Sequence, residues 1–186
     1  ADQYLSGDVR IKLEDARAAA QSEPRFTANV TALEASQPAL IPITTVNLRM
    51  GDNVVPAEVY QQFLAEMLDY RDVGVRYNAP MAIWSVSAPT QTVGNTTTWG
   101  VEYMTGADVA EAVMNFRQPQ IAYKDADGHT TVDQEATLAL RQKMLRMRKR
   151  FQDWIFEHPE VATTLEEVYN QERNRHVDRR YNGQHL

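Results

Sequence analysis

Apolar residues in the second half of the chain recur at steps of three and four. Ala136, Leu140, Met144, Met147, Phe151, Trp154, Ile155 and His158 follow one another in this way, and at 3.6 residues per turn they share one face of a single long helix over residues 133–158. That face is expected to be the seam of the core. Ser6 or Asp8 can cap an earlier helix to about residue 20, since a short side-chain oxygen satisfies the first free amides; Val9, Leu13 and Ala16 or Ala20 form its buried side. A second helix covers about residues 27–36 and ends at Gln37-Pro38, because the residue before proline is driven out of the helical region. Pro56 suits the first turn of a third helix, to about residue 69, with Val59, Phe63 and Met67 one turn apart. Thr105 or Asp108 starts a fourth, to about residue 116, and beyond Pro159 a last helix covers about residues 161–173.

Elsewhere the period shortens to two. Residues 43–50 alternate in part and predict a short strand. Val75, Tyr77, Ile83, Trp84 and Val86 are β-formers, as are Thr97, Trp99, Val101 and Tyr103 beyond a polar stretch with Gly94-Asn95; together they read as an antiparallel pair. Residues 120–124 and 130–132 flank Asp125-Ala126-Asp127-Gly128, a hairpin signal because Asp-Gly tolerates positive φ. The elements predict a helix-rich α+β fold, a single domain over residues 1–186 with a small antiparallel sheet packed on one long helix.

Charge changes this picture more than composition does. The 186 residues are 43 % apolar, enough for an ordinary core, but the net charge of −6 is unevenly spread. Residues 1–140 carry 9 Lys and Arg against 18 Asp and Glu, whereas residues 141–186 carry 10 against 7. The acidic part argues against indiscriminate polyanion binding and the basic part leaves a local site open. On the long helix Lys143, Arg146, Lys149 and Arg150 group on one flank. A second cationic group, Arg173, Arg175, Arg179 and Arg180, interleaves with Tyr169, His176 and Tyr181. Two readings stand side by side: phosphate contact with bases or sugars stacked on the aromatics, or a solvated face whose methylene stems pack on the helix. On the first reading the nucleic-acid contacts are Lys143, Arg146, Lys149, Arg150, Arg175, Arg179 and Arg180.

Other chemistries lack their residues. There is no cysteine, hence no disulfide, thiolate nucleophile or cysteine-ligated zinc. No apolar run approaches the ~18–20 residues of a membrane span, and Ala1-Asp2-Gln3-Tyr4 does not open a signal peptide, so a soluble cytoplasmic chain is expected. The eight glycines form neither GxGxxG nor a phosphate loop, and no GxSxG occurs. Asn78-Ala79-Pro80-Met81 lacks the second proline and the aromatic of a base-holding methyltransferase loop and reads as a turn. The four histidines never occur as HxxxH or HExxH, and His158 is placed to satisfy carbonyls at the end of the long helix. Asp125 and Asp127 lack the closing Glu of a calcium loop. No catalytic, cofactor-binding or metal-ligating residue is indicated.

Several stretches resemble one family. Tyr4-Leu5-Ser6-Gly7-Asp8-Val9-Arg10-x-Lys12-Leu13, Asn29-Val30-x-Ala32-Leu33-Glu34 with Gln37-Pro38, Trp154-Ile155-Phe156, Tyr169-Asn170 with Asn174, and Arg180-Tyr181-Asn182-Gly183-Gln184-His185-Leu186 are similar to a segment of large phage- and plasmid-borne DNA methyltransferase–helicase fusion proteins, including antirestriction-type proteins. The resemblance is strongest at the two ends and weak over residues 73–104. Asp8 stands where that family tends to have Asn, Val54 where it has Trp, and Asn182-Gly183-Gln184 where it has Asp-Gly-Ser. It implies an intermediate domain of a longer polypeptide, between an adenine-specific methyltransferase module and a Swi/Snf-type helicase module. It supplies no catalytic residue for this segment. The expected function is therefore non-catalytic, without a cofactor: sequence-independent DNA contact or, alternatively, a structural connector docking the flanking methyltransferase and helicase modules against each other.

Overall fold

A computed structural model describes residues 3–89 and 91–178. In chain order the regular elements are β1 (Gly7–Asp8), α1 (Val9–Ser22), α2 (Thr27–Ala35), α3 (Ala57–Met67), β2 (Gly74–Asn78), β3 (Ile83–Ser87), α4 (Gly106–Met114), β4 (Ala122–Lys124), β5 (Thr130–Val132), α5 (Gln134–Glu157), α6 (Pro159–Glu172) and β6 (His176–Val177). The class is the helix-rich α+β fold that the periodicity indicates, with small antiparallel two-stranded sheets β1–β6, β2–β3 and β4–β5. The chain divides into two compact units. One is built from its two ends, Ala1–Val46 with Thr163–Leu186, and the other from Asn47–Ala162.

The central unit is organised on α5. Asp133 caps it by accepting the amide of Ala136 at 2.9 Å, and at the other end His158 lies over Trp154, its Nδ1 2.9 Å from the Trp154 carbonyl. Leu140, Met144, Met147, Phe151, Trp154 and Ile155 are buried as their spacing requires. Near the start of the helix the buried residue is Thr137 and not Ala136. Its hydroxyl accepts the Ile121 amide at 3.0 Å, which turns this position inward and anchors the segment leading to β4. An aromatic series fills the space between α5 and α3: Phe63 meets Phe151 and Trp154 with ring centroids 5.2 and 5.5 Å apart, and Tyr60 meets Phe151 and Trp84 at 5.3 and 5.0 Å. Edge-to-face pairs of this kind add about 0.5–1.5 kcal/mol beyond the area they bury. The polar ends are satisfied. The Trp84 indole donates to Gly51 O at 2.8 Å, the Trp154 indole to Glu66 at 2.9 Å, and the Tyr60 hydroxyl donates to Asp52 O while accepting the Gly51 amide. Burial drives the Tyr60 phenol far above its ordinary range, so it stays protonated.

Two expected strands take other forms. Residues 43–50 hold a short 3-10 turn, Ile43–Thr45, followed by irregular chain. The β-formers after the polar stretch do not pair with the hairpin either: β2 pairs with β3 through Tyr77↔Trp84 and Val75↔Val86, and Gly94–Thr98 winds into a π-helical turn. The reason lies in the outer edge of β3. Its Trp84 and Val86 amides are taken by the side chains of Asn115 and Glu111 from the α4 region, at 2.8 and 3.0 Å, and Asn115 returns a bond to Trp84 O, so no edge is left for a third strand. A Cβ on Gly94 would stand 2.6 Å from Met67 O, so only glycine lets this turn settle against α3. The hairpin of β4 and β5 forms as its Asp-Gly turn predicts, with Gly128 at φ 81°. Thr105 and Asp108 start α4 as a reciprocal capping box.

The unit built from the chain ends packs Val9, Leu13 and Ala16 of α1 against Leu33 of α2, with Leu5, Val30 and Val177 around them. Asp8 caps α1 through the Ile11 amide. Some of the residues that carry the family resemblance have structural roles here, while Trp154-Ile155-Phe156 stand on α5 and residues 180–186 lie outside the described residues. The Gln37 amide group donates to Val9 O and Leu33 O, Asn170 brackets the backbone of Ile41 with two 2.9 Å bonds, and Asn174 donates to Asn170 and to Ala39 O.

Candidate interaction surface on the long helix

The cations of α5 that read as phosphate contacts do share one flank, but each has a protein partner within the central unit. Lys143 Nζ donates to the carbonyls of Thr97 and Thr98 at 2.7 and 2.6 Å, closing the end of the π-helical turn. Partial burial, then the charge of Arg146, holds its ammonium below the usual lysine range. The Arg146 guanidinium lies 4.7 Å over the Trp99 ring. Lys149 pairs with Asp153 at 2.8 Å, one turn on. Arg150 makes a two-pronged bond to Glu157 at 2.9 and 2.8 Å, which raises its already high pKa. Arg175 belongs to the other unit, where its Nε is 3.0 Å from Asp8. Arg179 and Arg180 lie outside the described residues.

Two other cations on α5 behave differently. Among the described residues, neither Arg141 nor Arg148 has a hydrogen-bond or ion-pair partner. Between and beside them stand three large apolar side chains turned to solvent: Leu138, Leu145 and Phe156 are 57, 63 and 54 % exposed. The intervals of seven and eleven residues each fall within about 20° of whole turns, so the three make one line on the side of α5 opposite its core face. The sequence carries this signal, but it is masked by the cations interleaved with it and by the stronger stripe of the inner face.

Two clusters elsewhere bear on chemistry. Ligand atoms of Asp125, Asp127 and His129 come within 4.8 Å of one another, but this is the β4–β5 turn, in which Asp125 Oδ1 already accepts the amides of Asp127 and His129 at 3.0 and 2.9 Å. His158 has Nε2 3.3 Å from Glu66 and Nδ1 against the Trp154 carbonyl, a helix-end role with both nitrogens facing oxygens. No helix among the described residues is long and apolar enough to cross a membrane.

The outer side of α5 thus carries an apolar line, flanked on one side by Arg141 and Arg148, which have no side-chain partner among the described residues. Residues 49–175 match the model of a family described as a domain of unknown function, DUF8437, and the chain belongs to that family. The match takes in nearly all of the central unit, α5 included. No curated protein and no solved structure matches the chain.

Proposed function

We propose that this chain is a non-catalytic interaction module, a connector that docks neighbouring modules of a larger polypeptide. The resemblance to methyltransferase–helicase fusions supplies the candidate neighbours. The observation that carries the proposal is that Lys143, Arg146, Lys149 and Arg150 are each engaged inside the central unit, while the apolar line of α5 is not. Breaking an exposed pair such as Lys149–Asp153 costs only about 0–1 kcal/mol, so pairing alone would not bar a phosphate. The carboxylates do: a polyanion reaching Lys149 and Arg150 meets Asp153 and Glu157 beside them, and like charges brought together oppose binding.

Calorimetric titration with S-adenosylmethionine and with ATP tests the non-catalytic part; no binding is expected, and micromolar affinity for either would overturn it. The second reading, sequence-independent DNA contact, is favoured by Arg141 and Arg148, which have no side-chain partner among the described residues. Two phosphate contacts give a log–log salt slope near about −1.8 and an affinity no tighter than about 10⁻⁴–10⁻⁶ M. Duplex anisotropy from low to physiological salt decides it: a slope near about −3.6 would restore a four-cation DNA face, and no binding at low salt leaves the connector.

A further inference from the structure

We infer that the outer face of α5 is a docking ridge for an acidic amphipathic helix of a protein partner. The inference rests on the reading of the chain as an interaction module and names the class of partner. From Leu138 to Phe156 the line runs about 27 Å at 1.5 Å per residue, five turns of helix. Leu145 sits at its centre, with Arg141 one turn before it and Arg148 one turn after, both on the same side. A partner helix laid along the ridge covers the apolar side chains with its own apolar face, and Asp or Glu along one edge meets the two arginines, whose side chains have no partner among the described residues. The charge of the face selects this occupant. On the opposite side Lys149 is already matched by Asp153, so that side makes no net demand.

Two alternatives fit less well. A second copy docked antiparallel about a twofold axis brings Arg148 against Arg148 of the other copy. Docked parallel, it sets Lys149 against Lys149 and Arg148 beside Arg146. Each arrangement places like charges together. A nucleic acid would press phosphates onto Leu138, Leu145 and Phe156, which offer no donor, so the phosphates would lose water without a hydrogen bond in return.

The test uses the full chain and a fluorescein-labelled 21-residue peptide with Leu at heptad a and d positions and Glu at the flanking positions, alongside the same peptide with Lys for Glu. An interface of this size belongs to the weak, transient class, so saturation is expected on the order of 10–100 μM for the acidic peptide, with the basic one at least about tenfold weaker. Leu138→Glu with Leu145→Glu should lower affinity for the acidic peptide at least about tenfold. Arg141→Glu with Arg148→Glu leaves the apolar ridge in place and should reverse the preference between the peptides. Equal binding of both peptides, unchanged affinity in the leucine variant, or preference for a 20-base-pair duplex over the acidic peptide would overturn the assignment. So would a concentration-dependent dimer in sedimentation that Leu145→Glu abolishes, since a second copy would then own the ridge. Failure of the peptide with no S-adenosylmethionine or ATP binding removes this partner class alone; binding of either cofactor removes the interaction-module reading beneath it.

Discussion

The two faces of α5 are both apolar, yet they do opposite things. Inside, Leu140, Met144, Met147, Phe151, Trp154 and Ile155 are buried, Phe151 and Trp154 meet aromatic rings of α3, and Trp154 has its indole nitrogen bonded to Glu66. Outside, Leu138, Leu145 and Phe156 form a line of comparable length, each more than half exposed. Apolar residues scattered singly on a surface need no explanation, but three in register along five turns, with two arginines unpaired among the described residues along one side, form a patch. Periodicity on one helix thus reports two different obligations. The face whose neighbours lie within the unit holds the fold, and the face without them is the one proposed for recognition.

Substitutions along and around the helix separate these obligations by size. Trp154→Ala should be the most damaging, costing about 3–5 kcal/mol in urea denaturation, the usual range for deleting a buried aromatic. A loss below roughly 1 kcal/mol would mean that the inner face does not carry the core. Gly51→Ala follows at about 2–3 kcal/mol, because Gly51 has φ 106° and an added Cβ would stand 2.1 Å from Met114 O, at the point where Trp84 and Tyr60 are tied to the loop. A neutral result there would show that the loop can move away from α4. Asn115→Ala should cost about 1–2 kcal/mol by leaving the edge of β3 without its side-chain partner, and amide exchange at Trp84 should quicken. Leu145→Glu should be the mildest, within about 0.5 kcal/mol of the parent, since the side chain is 63 % exposed. A large loss in that variant would move the outer line into the core and erase the contrast.

Much of the fold is written locally and could be read. The caps Asp8 and Asp133, the capping box of Thr105 and Asp108, the Asp-Gly hairpin and the inner stripe of α5 are short-range signals, and each appears where its residues stand. What could not be read depends on distant partners. Trp99, Val101 and Tyr103 have strand propensity, but the edge they would have joined is closed by Asn115 and Glu111 from another element, and Gly94 lets the chain wind into a π turn against α3. No local pattern announces that a side chain will stand in for a strand. The cationic flank was legible as a grouping but not as chemistry: the spacing of Lys143, Arg146, Lys149 and Arg150 gives the flank, while Thr97, Thr98, Trp99, Asp153 and Glu157, which occupy those cations, become neighbours only through the fold or the helix turn. Leu138, Leu145 and Phe156 stand in the sequence without a signal of their own, because single apolar residues among polar and charged ones read as part of a solvated face.

A methyl-detected NMR titration of the full chain with the acidic Leu/Glu peptide tests the contrast between the faces most directly. The Leu138 and Leu145 methyl resonances should shift in proportion to peptide bound, while those of Met144 and Met147, on the same turns but facing inward, hold their positions. Shifts confined to residues away from α5, or shifts of Met144 and Met147 as large as those of the two leucines, would contradict the account.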